Sequence, residues 1–180
     1  MKRLLLLAAL FVLAVPVAYA APPGGQGEES ANQAASPSDL CREQRRTMGM
    51  ASFRSTYAPT GSPKAAFDAC VAKLSQAAST NAKNAAKACQ AERAKDPLAF
   101  QTKYGKNTNK ANAFGKCVSM TARGLTEAQQ DATLDAAAAC KSERQLMGAD
   151  AFKGKYGTNA NKSNAFGKCI QKLKKPTQQP

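Results

Sequence analysis

"NANKSNAFGKCI" at residues 159–170 and "NTNKANAFGKCV" at 107–118 are nearly one phrase written twice. Dense in asparagine and lysine, each reads either as a ligand loop or as the entry to a helix that closes on a cysteine. Extending both phrases backwards finds a larger repeated unit. One copy is "CQAERAKDPLAFQTKYGKNTNKANAFGKCV" from Cys89; another is "CKSERQLMGADAFKGKYGTNANKSNAFGKCI" from Cys140. A divergent version, "CREQRRTMGMASFRSTYAPTGSPKAAFDACV", starts at Cys41. In all three, Phe and Tyr are four apart (Phe53/Tyr57, Phe100/Tyr104, Phe152/Tyr156), and Phe67, Phe114 and Phe166 precede the closing cysteine by three.

The divergent copy decides the reading. Counted from the Tyr, Ser62-Pro63 aligns with Asn109-Lys110 and Asn161-Lys162. Ser then Pro is the pattern of an N-cap and first helical residue, and Asn is an equally good cap. Asn109 and Asn161 are therefore read as helix starts. Asn112 and Asn164 align with Ala65, and Asn107 and Asn159 with Thr60, so a ligand site built on those amides would be missing from the first copy. Gly115 and Gly167 align with Asp68, which suggests an exposed position. Gly105 and Gly157 follow Tyr and suit a left-handed C-cap.

The pattern predicts an all-α fold of three tandem disulfide-stapled helical repeats with three helices each and no strands. Phe166, Cys169, Ile170 and Leu173 recur at i, i+3, i+4 and i+7, as do Phe67, Cys70, Val71 and Leu74, giving one apolar face. A short middle helix is expected from Asp96-Pro97, and Thr126 with Gln129 has capping-box spacing for a helix after Gly124. The expected organisation is a signal peptide at 1–20, a disordered leader at 21–37, repeats at 38–78, 79–124 and 125–174, and a disordered tail at 175–180.

Lys2 and Arg3, the apolar run Leu4–Val15 and Ala18-Tyr19-Ala20 make the signal-peptide reading. Export then favours paired cysteines. Pairing Cys41 with Cys70, Cys89 with Cys117 and Cys140 with Cys169 treats the copies alike; bridges between neighbouring units are the alternative. The closest cysteines are 19 apart and the chain has no histidine, so neither CxxC redox chemistry nor a structural zinc site is expected. No metal or cofactor is expected. Ser-His and Cys-His nucleophiles are excluded as well, and the reading is a protein that is not an enzyme.

The phrases "CxxER" and "KYGxNxNKxNAFGKC", present in the second and third copies, resemble repeats in uncharacterised exported Cys-rich helical proteins of high-GC Gram-positive bacteria. The resemblance implies export and a repeat origin; the first copy departs from it at the Asn and Gly positions.

Without Lys2 and Arg3 the chain keeps 24 basic against 12 acidic residues, a formal charge of +12. Such a field favours anionic partners. Lys110, Lys116, Lys162, Lys168, Lys172, Lys174 and Lys175 are the candidate anion contacts. Aromatic residues make up 6% of the chain and most are assigned to the core, so base-stacking platforms are scarce and no specific nucleic acid is expected. No transmembrane segment is expected after signal cleavage. Arg45, Arg93 and Arg144, each four residues past an opening cysteine, are read as inward-facing structural residues covering the bridge, with Tyr104 a candidate stacking partner. Phe53, Tyr57, Phe67, Phe100, Tyr104, Phe114, Phe152, Tyr156 and Phe166 are read as structural core, the Tyr hydroxyls bonded. The functional expectation is a secreted or cell-wall-associated basic protein engaging anionic envelope polymers or surfaces. The alternatives are a protein-interaction module of adhesin or inhibitor type, and a cationic membrane-active protein.

Overall fold

Proline after a short polar side chain sets most of the early helix starts. A computed structural model describes residues 35–174; the segment 1–20, the leader up to residue 34 and the tail with Lys175 lie outside the described residues. Helix α1 (Pro37–Met48) opens under Ser36, whose Oγ accepts from the Asp39 amide at 3.2 Å, so the last two leader residues cap and begin it. Helix α2 (Met50–Tyr57) follows Gly49, at φ 78°. Helix α3 (Pro63–Lys95) opens under Ser62, which accepts from the Ala65 amide at 3.1 Å. The Asp96 carboxylate accepts from the amides of Leu98 and Ala99 to open α4 (Pro97–Tyr104). Helix α5 (Ala113–Met147) is followed at Gly148, φ 85°, by α6 (Ala149–Tyr156), and α7 (Ala165–Leu173) ends the set. No strand occurs among the described residues, and the fold is all-α.

The nine helices expected of three units reduce to seven among the described residues, because the last helix of one unit is the first of the next. Helix α3 runs unbroken through 78–79 and α5 through 124–125, so both expected unit boundaries fall inside a helix. The proposed capping box after Gly124 is not one. Thr126 Oγ1 donates to the Ala122 carbonyl at 3.0 Å, a bond made within a continuing helix.

The second and third phrases also enter their helices three residues later than read. Lys110 and Lys162 sit at φ 55° and 53°, a left-handed conformation that interrupts any helix started at Asn109 or Asn161. Pro63 stands at the aligned position in the first copy, and its ring forbids that conformation, so only there does the helix begin early. Asn109 and Asn161 instead accept from the amides two residues on, Ala111 and Ser163, each at 3.1 Å. Gly105 and Gly157 are not left-handed C-caps either; their φ values are −72° and −71°. Glycine is needed for space, since a Cβ on Gly157 would come 2.5 Å from Lys162 Cβ and one on Gly105 2.6 Å from the Gln101 carbonyl.

Disulfides join Cys41–Cys70, Cys89–Cys117 and Cys140–Cys169, each with Cα atoms 6.0 Å apart. Phe and Tyr rings one turn apart pack at 4.9 Å in α2, α4 and α6. Despite this common pattern, the three segments do not build three equal cores. Phe53, Cys41 and Cys70 share one core with Phe152, Phe166, Cys140, Cys169 and Ile170, whereas Cys89, Phe100, Tyr104, Ala113 and Cys117 form a small separate one. The first and third segments therefore pack on each other, and the middle one stands at the other end of the paired long helices α3 and α5.

Candidate functional site

The packing of α2 against α7 makes a site that no single segment contains. Ser55 Oγ donates to the Ser163 carbonyl at 2.5 Å and accepts from the Phe166 amide at 3.2 Å, drawing α2 over the start of α7. The approach is close enough that a Cβ on Gly167 would lie 2.8 Å from Thr56 Cα and 2.9 Å from the Ser55 carbonyl. Gly167 is buried, correcting the exposed position read for it; its aligned partner Gly115 is exposed with open space around it.

Beside this clamp lies a pocket of about 170 Å³. Its floor is Phe152, Ala165 and Phe166, and its rim carries Arg144 from the end of α5, Lys153 from α6 and Lys162 from the loop before α7. Ser52 of α2 lines the facing wall, and no carboxylate does. Lys153 Nζ lies 3.6 Å from the fully exposed Asp150 carboxylate. Arg144 and Lys162 make no ion pair, and the Ser52 hydroxyl no hydrogen bond, among the described residues.

The three aligned arginines are all exposed, which corrects the inward-facing reading. Arg45 and Arg93 lie over the second phenylalanine of their own segment, 5.6 Å from the Phe67 centroid and 5.0 Å from that of Phe114, and not over Tyr104. In the third segment α2 helps bury the equivalent Phe166, and Arg144 lines the pocket.

The inward position is one residue earlier. Tyr104 Oη donates to Glu92 Oε2 at 2.9 Å and Tyr156 Oη to Glu143 Oε2 at 2.8 Å, while Lys103 and Lys155 pair with the same carboxylates at 2.7 and 2.5 Å. Hydrogen bonds from the lysine first and the tyrosine second hold Glu92 and Glu143 below the usual carboxylate pKa. The first segment has Gln44 there and Thr56 in place of the lysine. Gln44 is 1% exposed, accepts from Tyr57 Oη and donates to Gln130 Oε1 at 2.6 Å; a carboxylate would be a buried charge facing another acceptor. Burial pushes the Tyr57 phenol up to about 12.

The remaining candidate lysines are scattered. Lys116 and Lys168 occupy aligned exposed positions, and Lys110 Nζ donates to the Gly105 carbonyl at 3.2 Å. Lys172 lies 5.8 Å from the Tyr156 centroid. Lys174 shares a smaller pocket of about 90 Å³ with Lys73, Tyr57, Gln129 and Gln171. Burial pushes the Lys174 ammonium below the ordinary lysine pKa, and the charge of Lys73 adds to this. Lys153 and Lys73 are the cations lining these pockets that sequence reasoning missed, since they meet them only through packing between distant segments.

The asparagines face each other. Asn112 Oδ1 accepts from the Lys106 amide at 3.0 Å and Asn107 Oδ1 from the Asn112 amide at 3.4 Å; Asn164 and Asn159 repeat this at 3.0 and 3.4 Å. These side chains brace their own loop. Among the described residues no group of His, Cys, Asp and Glu could hold a metal ion, and all six cysteines are in bridges. Comparison with protein-family models, with curated proteins and with solved structures finds no match to the chain.

Proposed function

We propose that the chain is an exported, noncatalytic binding protein that engages anionic polymers of the cell envelope through its surface lysines. The observation that carries this is electrostatic. Lys110, Lys116, Lys162, Lys168, Lys172 and Lys174 form no ion pair among the described residues, while Asp39, Glu43, Asp68, Glu92, Glu127, Glu143 and Asp150 are each already paired with a cation. Five of these lysines are exposed and Lys174 is half-buried, and among the described acids Asp96, Asp131 and Asp135 stand outside these pairs, so positive charge predominates at the surface, which favours a polyanion by counterion release. Three disulfides support an oxidising location such as the cell exterior. No helix among the described residues is long and apolar enough to cross a membrane.

Retention of the oxidised protein on anionic envelope polymer at two salt concentrations tests the reading. Binding at low ionic strength and release at moderate salt is the expected result. No retention at low ionic strength refutes it. Capture of one protein regardless of salt would replace it with a protein-interaction role, and leakage from anionic vesicles with a membrane-active one.

A further inference from the structure

We infer that the pocket between α2, α6 and α7 is a built site for a phosphomonoester group, with Arg144, Lys153, Lys162 and Ser52 as its donors. The site deepens the polyanion reading, and rests on it only for where the phosphate comes from.

Three cations line one pocket whose wall holds no carboxylate. Less the exposed Asp150 beside Lys153, they leave two positive charges. A phosphomonoester carries about −1.5 to −2 at pH 7 and matches that surplus, where a carboxylate or phosphodiester would leave about one charge unanswered. The donor set fits the same shape. A guanidinium offers a planar fork to two oxygens, the two ammonium groups act as point charges, and a hydroxyl serves another oxygen of the tetrahedron. Apolar Phe152, Ala165 and Phe166 form the floor, so the anion would bind against a low-dielectric surface where each charge counts for more than in open water.

The other two segments lack this arrangement, which argues for a built site over generic basicity. Arg93 is laid on Phe114, Gln101 stands where Lys153 does, and Lys110 donates to Gly105. In the first segment Arg45 lines an open concavity with Arg42 and Arg46, but those two are paired with Asp39 and Glu43, Arg45 lies on Phe67 and Pro63 replaces Lys162, so one charge is left there instead of two. Only the third has α2 supplying a hydroxyl wall, through a clamp made by Ser55.

Titration of the full oxidised chain with inorganic phosphate and, separately, acetate at matched ionic strength tests the site, read by amide shifts of residues 52, 144 and 162. One saturable phosphate site is expected, with acetate far weaker. Arg144→Lys keeps the charge but loses the fork, and should weaken phosphate at least about tenfold, the worth of one charge-assisted hydrogen bond. Arg93→Lys, at the aligned position where the guanidinium lies on Phe114, should change nothing. Lys162→Gly removes an ammonium where the backbone is already left-handed, so a loss of phosphate binding there cannot be put down to misfolding. Equal binding of phosphate and acetate, or phosphate binding untouched by Arg144→Lys, overturns the inference. Polymer retention that persists in those circumstances would leave the polyanion reading standing by itself; saturable phosphate binding without polymer retention would do the reverse.

Discussion

Two aligned glycines carry opposite loads. A Cβ at position 167 would press on the α2 backbone, whereas position 115 has nothing within 4 Å. Gly167→Ala should therefore destabilise by about 1–3 kcal/mol through overpacking, and Gly115→Ala should stabilise by about 0.5–1 kcal/mol through helix propensity, both read from denaturant midpoints. Their alignment with one Asp hid this difference, since which copy meets α2 is decided by long-range packing that a local pattern does not encode. Gln44 shows the converse: the departure from Glu was visible, and its reason, burial against Gln130 of a distant helix, was not. Acid titration separates the two kinds of position. Glu92 and Glu143 have folded pKa values below the ordinary 4.5, so their contribution to stability is present above that value and is lost as pH falls through the folded one. Melting temperature should decline below about pH 4.5, and the combined variant Glu92→Gln, Glu143→Gln should flatten that decline.

Helices α3 and α5 lie side by side over much of their length, and polar groups fix their register. Asn81 is fully buried; its Nδ2 donates to Thr126 Oγ1 at 3.1 Å and Gln129 Oε1 at 3.2 Å, and its Oδ1 accepts from Gln129 Nε2 at 3.1 Å. Asn81→Ala strips the Gln129 amide of its partners, while Thr126 keeps its bond to the Ala122 carbonyl, and should cost about 1–3 kcal/mol; Asn81→Leu with Gln129→Leu should recover most of that in chemical denaturation. This contact was out of reach of periodicity, because Asn81 and Gln129 lie in the Ala-rich stretches outside the repeated phrases. Helix type and the Phe–Tyr stripe were legible, because i, i+4 spacing is a local property of the chain. Continuity across 78–79 and 124–125 was not, since Gly124 and Thr126 look like a stop and a start until the neighbouring helix holds them in line.

The whole molecule has one large core shared by its first and last segments and a small one in the middle. Each bridge closes a loop for which chain entropy gives about 3.6 kcal/mol, so the bridges weigh similarly against the unfolded chain but not against the folded one. Replacing Cys89 and Cys117 by Ala should melt α4 and its flanks in a separate, earlier transition, seen as fast hydrogen exchange there alone. Replacing Cys140 and Cys169 should lower the stability of the shared core instead, and a single cooperative loss in both variants would contradict the two-core description. The bridges have another property in common: each cysteine is joined to its immediate neighbour along the chain, first to second, third to fourth, fifth to sixth. A polypeptide emerging N-terminus first offers each thiol its proper mate before any competitor from the next pair arrives. Correct oxidation then needs no reshuffling, and order of appearance alone guards against scrambled isomers.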